Sequence, residues 1–451
     1  MPQTALIGMP PAPLLNIAPL LEDGRESELA NLLSSLHPAD VAEALGPLGM
    51  EATIKVMSCL DIQQAADVLV ELSESARDQV ALGLPRAQLT KLVAEMDSDD
   101  AADIVGDLGD QAAEEVLSAI SSEDSEDVRR LLMYDEETAG GLMQLELVAA
   151  PDTDTVSSVI DRIREAGGDV GDIDHVFIVD ANKTLRGVVS LRALLLARSE
   201  ASIEDLLENP RLVVRVDEGQ EAVAQKFQKY DVRAAPVVDS QNRLLGRITV
   251  DDIIDVLHEE TDKDFYRLAG SSEEEIYTSG VVRTAALRLP WLLFNLIGGF
   301  VTSIILTHFE ASLLKTVALV TFVPMVMSLS GAVGSQSATI TVRGLAMGRI
   351  ATGQVLKSLI KEQKVTAFMA LAFGLTIALI SGSMHSALRL GLAVGLSISV
   401  AIVVSAFLGA VTPIFFRSVK IDPALASGPV VTSANDVVSL LIYTIIGTAV
   451  A

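Results

Sequence analysis

The C-terminal part of the chain holds five apolar segments, each about long enough to cross a lipid bilayer. They lie near residues 288–308, 313–336, 363–383, 387–415 and 429–450. A spanning helix needs about 20 apolar residues, because the hydrocarbon core is about 30 Å thick and each backbone polar group must be bonded within its segment. The sequence therefore predicts a five-helix, all-α transmembrane domain over residues 288–451.

Basic residues are distributed unequally between the loops that join these segments. The loop after the second segment carries Arg343, Arg349, Lys357, Lys361 and Lys364, and the loop after the fourth carries Arg417 and Lys420. The two loops on the other side carry only Lys315 and Arg389. Because Lys and Arg are enriched on the cytoplasmic side, we expect a multi-pass protein of the cytoplasmic cell membrane. Its N-terminal domains are then cytoplasmic and its C-terminus extracytoplasmic.

The charge of the chain changes sign at the start of the membrane half. Residues 1–290 carry 56 acidic and 24 basic side chains, a net charge of −32, whereas four acidic and nine basic residues follow from Trp291 onward. A region this acidic repels nucleic acid and attracts cations, so we expect no nucleic-acid partner. Solubility alone is the alternative explanation of the charge. The single cysteine, Cys59, excludes an intrachain disulfide.

The first part of the chain reads as a leader followed by helical repeats. Pro10, Pro11, Pro13 and Pro19 interrupt the apolar run within residues 1–25, which we predict to be a disordered leader. Over residues 26–135, similar amphipathic segments begin at Leu36, Leu60 and Leu84, 24 residues apart. Repeats of this kind stack into an α-helical superhelix, because one unit cannot bury its own apolar face.

An acidic cluster marks the start of one of these repeats. It consists of Asp97, Asp99, Asp100 and Asp103. Helix capping and favourable interaction with the helix dipole explain such a cluster, and a shared cation site is the sharper alternative.

A strand–turn–strand–helix unit then occurs twice, 59 residues apart. Its strands lie near residues 176–180 and 185–190, and again near 236–239 and 244–249. This α/β repeat resembles a tandem pair of CBS domains, here residues 136–200 and 201–258. Such pairs regulate other domains and many bind adenine nucleotides, so the resemblance implies one ATP site at Thr249 and Asp252. The alternative is that these two residues cap the following helix. Ser190 is followed by Ala193 and lacks the matching carboxylate.

Two features of the membrane half point to an ion path. Asp436 lies well inside the last apolar segment, where an unpaired carboxylate costs about 2.5–3.5 kcal/mol and faces a polar pathway by default. Packing against a polar group of a neighbouring helix is the alternative. The second segment contains Pro324 and the polar run 328–339, which predict an interrupted helix whose free backbone lines a cavity. Carboxylate and carbonyl oxygens suit Mg²⁺ or Ca²⁺.

Together these features resemble the MgtE-type magnesium channels and transporters, a family with tandem CBS domains. The matching motifs are ETAGGLM at 137–143, RLPWLL at 288–293, GSQSATITVRGLA at 334–346 and DPALASGP at 422–429, followed by Asp436. The order of domains also matches, with a charged plug or connecting helix at 259–287 between the CBS pair and the membrane.

The resemblance implies a homodimer that imports Mg²⁺ through a central pore, with other divalent cations as further candidates. Cytosolic Mg²⁺ bound between the acidic N, CBS and plug elements then closes that pore. The metal-binding residues it implies are Asp436, Asp99, Asp103, Glu221, Asp252, Glu260, Asp264 and Glu310. One departure concerns the pore, because Ser330, Gly331 and Ala332 stand where relatives usually have Gly-Gly-Asn. Gly219 and Lys263 also replace sensor carboxylates.

Two other classes of function were weighed. A membrane enzyme would need a nucleophile loop, which the sequence after Ser328 resembles only faintly, and a base such as His385 placed nearby. We therefore expect no enzyme. A membrane cation sensor that binds ions without transporting them is the other alternative, and it predicts no ion flux.

Overall fold

A computed structural model describes residues 17–22, 25–46, 48–166, 170, 173–271, 275, 281–346, 355–423 and 428–450. The chain divides into two compact units, Met1–His258 and Glu259–Ala451.

Ten short helices open the part of the first unit that the structure describes. They are α1 (Ile17–Glu22), α2 (Glu26–Leu33), α3 (Pro38–Leu45), α4 (Met50–Met57), α5 (Ile62–Val70), α6 (Glu74–Gly83), α7 (Arg86–Val93), α8 (Ser98–Gly106), α9 (Asp110–Leu117) and α10 (Ser122–Leu131). From α3 to α10 the helices begin every 12 residues, which confirms the predicted repeat. Each packs on the helix two positions further along the chain, so that their apolar faces build one continuous core.

Caps and buried faces explain why the chain forms these helices. The Asp61 carboxylate accepts a hydrogen bond from the Gln64 backbone N–H (2.9 Å), and the Ser121 hydroxyl accepts one from the Asp124 N–H (3.1 Å). The predicted leader is wrong for residues 17–22, which form α1. There Ile17 is only 2% exposed, because it joins the apolar core. Residues 1–16 and 23–24 of that leader lie outside the described residues.

Two three-stranded sheets follow within the described residues of the same unit. The first half contains β1 (Ala149–Pro151), α11 (Val156–Ala166), β2 (His175–Val179), β3 (Leu185–Ser190) and α12 (Leu191–Leu196). The second contains β4 (Val214–Arg215), α13 (Gln220–Tyr230), β5 (Ala234–Val238), β6 (Leu244–Thr249) and α14 (Val250–Ala269). In each sheet a parallel pair, β1–β2 or β4–β5, is extended by an antiparallel hairpin, β2–β3 or β5–β6. The predicted duplication is therefore confirmed.

The two hairpins share their turn chemistry. Asp180 Oδ1 accepts hydrogen bonds from the backbone N–H groups of Asn182 and Thr184 (2.8 and 3.0 Å). Asp239 Oδ1 does the same for Gln241 and Arg243 (2.8 and 2.9 Å). An Asp side chain that bonds the backbone two residues ahead stabilises a tight turn, so this repeated Asp is structural.

Helix α14 is continuous through residue 259, where the connecting helix was expected to begin, and it ends at Ala269. Residues 272–274 and 276–280 of the predicted connector lie outside the described residues. The next helix begins at Val281, inside the range assigned to the connector.

Among the described residues of the second unit, five helices are long and apolar enough to cross a membrane. They are α15 (Val281–Leu313), α16 (Ala318–Ala346), α17 (Val355–His385), α18 (Leu388–Ser418) and α19 (Pro429–Val450). α18 packs against α16, α17 and α19, and α19 also contacts α15 and α16. The expected five-helix membrane domain is thus confirmed, although most helices extend beyond the predicted spans.

The second apolar segment differs from its prediction, because α16 is one continuous helix and is not interrupted. Pro324 lies inside it without ending it. The Gly and Ser residues that suggested a break serve close packing instead, since Ser330, Gly334 and Ser337 are buried against neighbouring helices.

Candidate ion pathway and acidic cluster

Asp436 lies one and a half to two turns into α19 and is half-buried at a cavity of about 470 Å³. The cavity is lined by Met327, Ser328, Gly331, Ala332 and Ser335 of α16 and by Thr432 and Asp436 of α19. A Cβ atom at Gly331 would lie 3.9 Å from Asp436 Oδ1, so α16 approaches the carboxylate without covering it. One carboxylate and three hydroxyl-bearing side chains therefore line the same cavity, beside apolar side chains of α16.

Polar contacts on other faces of α19 fix the helix that carries Asp436. The Tyr443 hydroxyl is fully buried and donates a hydrogen bond to the Leu319 carbonyl at the start of α16 (2.7 Å). The Ser433 hydroxyl donates to Asn295 Oδ1 on α15 (2.7 Å), close to Gly298. α19 is thereby attached to two neighbouring helices on either side of Asp436 along the chain.

The start of α19 also contacts the end of α14. Arg267 forms an ion pair with Asp422, in the segment that precedes α19. Gly270 adopts a left-handed backbone with φ of 73°, and a Cβ atom there would lie 3.0 Å from Pro429 Cγ. Further along, Glu275 pairs with Arg288 of α15. These contacts lie within the second unit and join the end of α14 to the start of the helix that carries Asp436.

A cluster of carboxylates lies where α8 meets the second CBS half, within the first unit. Asp99 is only 7% exposed, and its Oδ2 accepts a hydrogen bond from Gln144 Nε2 (3.4 Å). Arg247 of β6 donates in turn to Gln144 Oε1 (2.7 Å). Beside it, the Ser98 hydroxyl donates to Glu146 (2.8 Å). This network joins the start of α8 to Gln144 and β6.

The carboxylates of this cluster oppose one another's ionisation. Burial raises the pKa of Asp99 well above its ordinary value, and the charges of Asp100 and Asp252 raise it further. Burial, followed by the charges of Asp252 and Asp103, raises the pKa of Asp100 to about 8. Burial raises the pKa of Asp252 to about 6 against the lowering effect of its hydrogen bond from Thr249. Without a cation, the cluster therefore favours proton uptake near neutral pH.

The remaining predicted metal residues are spread over the chain. Asp103 pairs with Arg77 (3.7 Å), Glu221 accepts a hydrogen bond from Gln225 (3.1 Å), and Glu260 pairs with Lys263 (3.6 Å). Glu310 is exposed near the end of α15, and Asp264 is in α14, but its side chain lies outside the described residues. Across the ranges that the structure describes, no group of three or more His, Cys, Asp or Glu side chains is arranged to hold a metal ion.

Thr249 and Asp252, the predicted nucleotide site, contact each other. Asp252 Oδ2 accepts hydrogen bonds from the Thr249 hydroxyl (2.7 Å) and the Thr249 backbone N–H (3.1 Å). The Asp252 carboxylate thus satisfies the Thr249 backbone N–H, as the carboxylate three residues into a helix does in one half of a capping box. The capping interpretation thus describes the geometry seen, and it leaves the Thr249 hydroxyl engaged.

Sequence reasoning missed two parts of these sites. The sequence places Asp100 in the acidic cluster but does not predict it to bind metal. In the structure, burial and the charge of Asp252 raise the pKa of Asp100. The Arg267–Asp422 ion pair joins residues 155 positions apart, so no local sequence pattern predicts it. The acidic run at 97–103 was the available signal for Asp100.

Three family models match the chain in order. An MgtE intracellular N domain matches residues 36–137, CBS domains match 139–200 and 203–259, and a divalent cation transporter domain, MgtE, matches 323–446. Two crystal structures are similar to the first part of the chain, each with a TM-score of 0.51. One is the soluble part of a magnesium transporter (29% identity, 56% of this chain and 99% of that chain). The other is the cytosolic domain of the Mg²⁺ channel MgtE in complex with ATP (32% identity, 54% and 99%).

Whole-length relatives agree with these domain matches. The magnesium transporter MgtE of Bacillus subtilis is 30% identical over 97% of this chain and 97% of its own length. That of Thermus thermophilus is 32% identical over 94% of this chain and 95% of its own length. Because the likeness runs from the helical repeats through the CBS pair to α19, the chain belongs to the MgtE family of magnesium transporters.

Proposed function

We propose that this protein imports Mg²⁺ across the cytoplasmic membrane and that Asp436 is the carboxylate that selects the ion. The observation that carries the proposal is the cavity at Asp436, set in a transporter-family domain and lined by hydroxyl groups. Mg²⁺ gives up its waters reluctantly and usually keeps several. A cavity of about 470 Å³ has room for a hydrated ion, whose waters can donate to Asp436, Ser328, Ser335 and Thr432.

Ala332 leaves the cavity without a side-chain amide at one position. It lines the cavity at the position where the family resemblance leads one to expect an Asn side chain. Without that amide, recognition of the hydrated ion depends more on the carboxylate and the three hydroxyls. We therefore propose a site whose selectivity is governed mainly by charge and by the position of Asp436.

A homodimer supplies the second charge. One chain contributes a single carboxylate to the cavity, whereas Mg²⁺ carries two positive charges. A second copy facing the first across a central pore adds a second Asp436 and makes the site electrically neutral. The proposed topology keeps the N-terminal domains in the cytoplasm and the C-terminus outside, as the distribution of Lys and Arg predicts.

Cytosolic Mg²⁺ closes this pore in our proposal. A cation among Asp99, Asp100 and Asp252 offsets the repulsion between their ionised carboxylates. Mg²⁺ therefore stabilises the arrangement that binds it. Asp103, Glu221, Glu260 and Asp264 are the other acids proposed to take part. Arg267 and Asp422 then provide a contact through which the end of α14 acts on the start of α19.

ATP is proposed as a second ligand of the CBS pair. The cytosolic domain of a related Mg²⁺ channel was crystallised with ATP, and this chain has the Thr249 and Asp252 pair at the start of α14. Binding there would compete with the existing cap, because the Thr249 hydroxyl already donates to Asp252.

Mg²⁺ uptake into liposomes containing the purified protein tests the proposal. Asp436→Ala should reduce uptake to the background of protein-free liposomes, and Asp436→Asn should do the same at unchanged side-chain volume, because the negative charge that attracts the hydrated ion is gone. Ser381→Ala is the matched control, since the Ser381 hydroxyl bonds only to backbone within α17 (2.7 Å) and is fully buried. Absence of flux in the wild type, with normal insertion and Mg²⁺ binding, would instead support the non-transporting sensor.

A further inference from the structure

Next to Asp436 lies a buried amide that the proposed pathway does not use. Asn435 is 0% exposed, and neither Nδ2 nor Oδ1 has a hydrogen-bond partner among the described residues. A buried amide without a partner costs about 1–3 kcal/mol. An apolar residue would fill this position more cheaply, so the retained amide calls for a physical explanation.

Asn435 points at a place where α16 and α18 are in close contact. A Cβ atom at Gly334 would lie 1.8 Å from Asn435 Nδ2, so the amide occupies the space that this glycine leaves open. A Cβ atom at Gly409 of α18 would lie 2.1 Å from the Gly334 carbonyl oxygen. α16, α18 and α19 thus meet at one point. α16 and α18 each contribute a glycine, Gly334 and Gly409, and α19 contributes the Asn435 amide.

Two more buried polar groups border this contact. Ser330 lies one turn before Gly334 on α16, and Ser405 lies one turn before Gly409 on α18. Each is 0% exposed, and each hydroxyl oxygen has no partner among the described residues. The amide and both hydroxyls therefore belong to the interior of the three-helix contact and face no lipid.

The position of Asn435 in α19 couples this contact to the ion site. Successive residues of an α-helix point about 100° apart, and Asn435 and Asp436 accordingly face two parts of α16. The amide faces Gly334, and the carboxylate faces the cavity near Gly331. Any rotation of α19 that withdrew the amide from its seat would also swing the carboxylate away from the cavity.

We propose that Asn435 is a positioning residue, whose amide, seated at Gly334, sets the rotation of α19 and so the aim of Asp436 at the ion. This inference rests on the proposed function of Asp436. A firmly held carboxylate favours Mg²⁺, whereas a loosened site adapts to the larger and more variably coordinated Ca²⁺. Asn435 accordingly contributes to selectivity without touching the ion.

The test measures Mg²⁺ uptake and its competition by Ca²⁺ for Asn435→Ala, Gly334→Ala and the double variant, at equal amounts of inserted protein. Asn435→Ala empties the seat and should raise the KM for Mg²⁺ about tenfold, within the range of couplings between contacting residues. The maximal rate should change much less, and Ca²⁺ should compete better. Gly334→Ala blocks the seat and should impair uptake. In the double variant the new methyl group occupies the emptied seat, so KM should return toward the wild-type value.

Two comparisons make the result decisive. Thr444→Val is the control, because Thr444 is an equally buried polar residue of α19 whose hydroxyl bonds only to backbone of its own helix (2.9 Å to Leu440 O). It should keep the wild-type KM and ion preference. If Asp436→Asn abolishes uptake while Asn435→Ala keeps the wild-type KM and Ca²⁺ competition, the positioning role is wrong and the proposed function stands. If Asp436→Asn transports normally, the proposed function itself fails. If the effects of Gly334→Ala and Asn435→Ala on KM are additive in the double variant, the proposed contact between the Asn435 amide and Gly334 is also wrong.

Discussion

The protein uses carboxylates in two contrasting settings. In the membrane half, Asp436 is a single acid at a cavity whose other polar groups are hydroxyls. In the first unit, burial and the charges of Asp100 and Asp252 raise the pKa of Asp99, and burial and the charge of Asp252 raise the pKa of Asp100. A lone charge on a polar path can attract an ion and release it, whereas crowded acids gain stability only while a cation or a proton remains among them.

This difference suggests a division of labour within one chain. The isolated acid is suited to conduction and the crowded acids to sensing, because occupancy changes the stability of the protein only in the second case. Variants of either site test this division. A change in the cluster should alter inhibition by internal Mg²⁺ and leave uptake intact, and a change at Asp436 should remove uptake.

The largest effect within this comparison is expected from the variant Asp99→Asn/Asp100→Asn/Asp252→Asn. Neutral amides need no cation, so the concentration of internal Mg²⁺ that half-inhibits uptake should rise about tenfold or more, as expected for an allosteric coupling of ordinary size. Maximal uptake should be kept. The matched control is Glu43→Gln/Glu115→Gln/Glu123→Gln, which makes the same three acid-to-amide changes at exposed positions of the same region. Equal inhibition curves for both variants and the wild type would show that the cluster is no sensor.

A smaller effect is expected from the contact between the end of α14 and the start of α19. Arg267→Glu should weaken inhibition by internal Mg²⁺ about fivefold, near the lower end of allosteric couplings, because this partly exposed pair is screened by solvent. Adding Asp422→Arg reverses both charges and should restore most of the inhibition. The assay is uptake against internal Mg²⁺. Failure of the charge reversal to restore any inhibition would assign the loss to some other role of Arg267.

The pH dependence of stability should reveal the crowded acids directly. Their pKa values lie above the ordinary 3.8, at about 8 for Asp100 and about 6 for Asp252, so the folded form holds protons that the unfolded form has lost. Stability is therefore full below about pH 4 as far as these groups are concerned, and it is lost as the pH rises through 6 and 8. Without Mg²⁺, the melting temperature of a fragment of residues 1–269 should fall over this interval.

Millimolar Mg²⁺ should oppose that loss, and more strongly at pH 8 than at pH 5, because protons and cations compete for the same oxygens. The triple Asn variant should show a flatter profile. Some slope should remain, since burial and the neighbouring Asp107 raise the pKa of Asp78 to about 7 as well. A profile in the triple variant as steep as that of the wild type would contradict the assignment.

The smallest effect concerns ATP. Thr249→Val removes the hydroxyl that donates to Asp252 and should cost about 1 kcal/mol of stability, as loss of a helix cap does. If the CBS pair binds ATP there, the same change should also weaken ATP binding, measured by calorimetry on the 1–269 fragment. Ser190→Ala, at the matching position of the first half, is the control, because Ser190 also caps a helix by accepting from the Ala193 N–H (3.2 Å). Equal ATP binding by both variants and the wild type would remove Thr249 from the site.

Much of the fold was predictable because its signals are local. The helices of the first unit begin every 12 residues, and apolar spacing with caps such as Asp61 marks them in the sequence. The duplicated hairpins follow from alternating apolar residues and from turn residues such as Asp180 and Asp239. The membrane spans follow from length and hydropathy alone.

The parts that could not be predicted depend on contacts between distant residues. The Gly and Ser residues of α16 predict an interrupted helix, but Gly334 instead leaves room for the side chain of Asn435, about a hundred residues later in the chain. Arg267 and Asp422 meet only because α14 ends beside the start of α19. Asp436 could be singled out from sequence because a lone acid in an apolar segment is costly wherever its partners lie.

The initial rate of Mg²⁺ uptake at rising internal Mg²⁺ tests the central claim most directly, with the wild type, Asp436→Asn and the triple variant of Asp99, Asp100 and Asp252 compared in one series. The account predicts uptake that internal Mg²⁺ suppresses in the wild type, none at any concentration in Asp436→Asn, and full uptake with weakened suppression in the triple variant. Normal uptake by Asp436→Asn, or suppression by internal Mg²⁺ as strong in the triple variant as in the wild type, would contradict the separation of an ion-selecting acid from a sensing cluster.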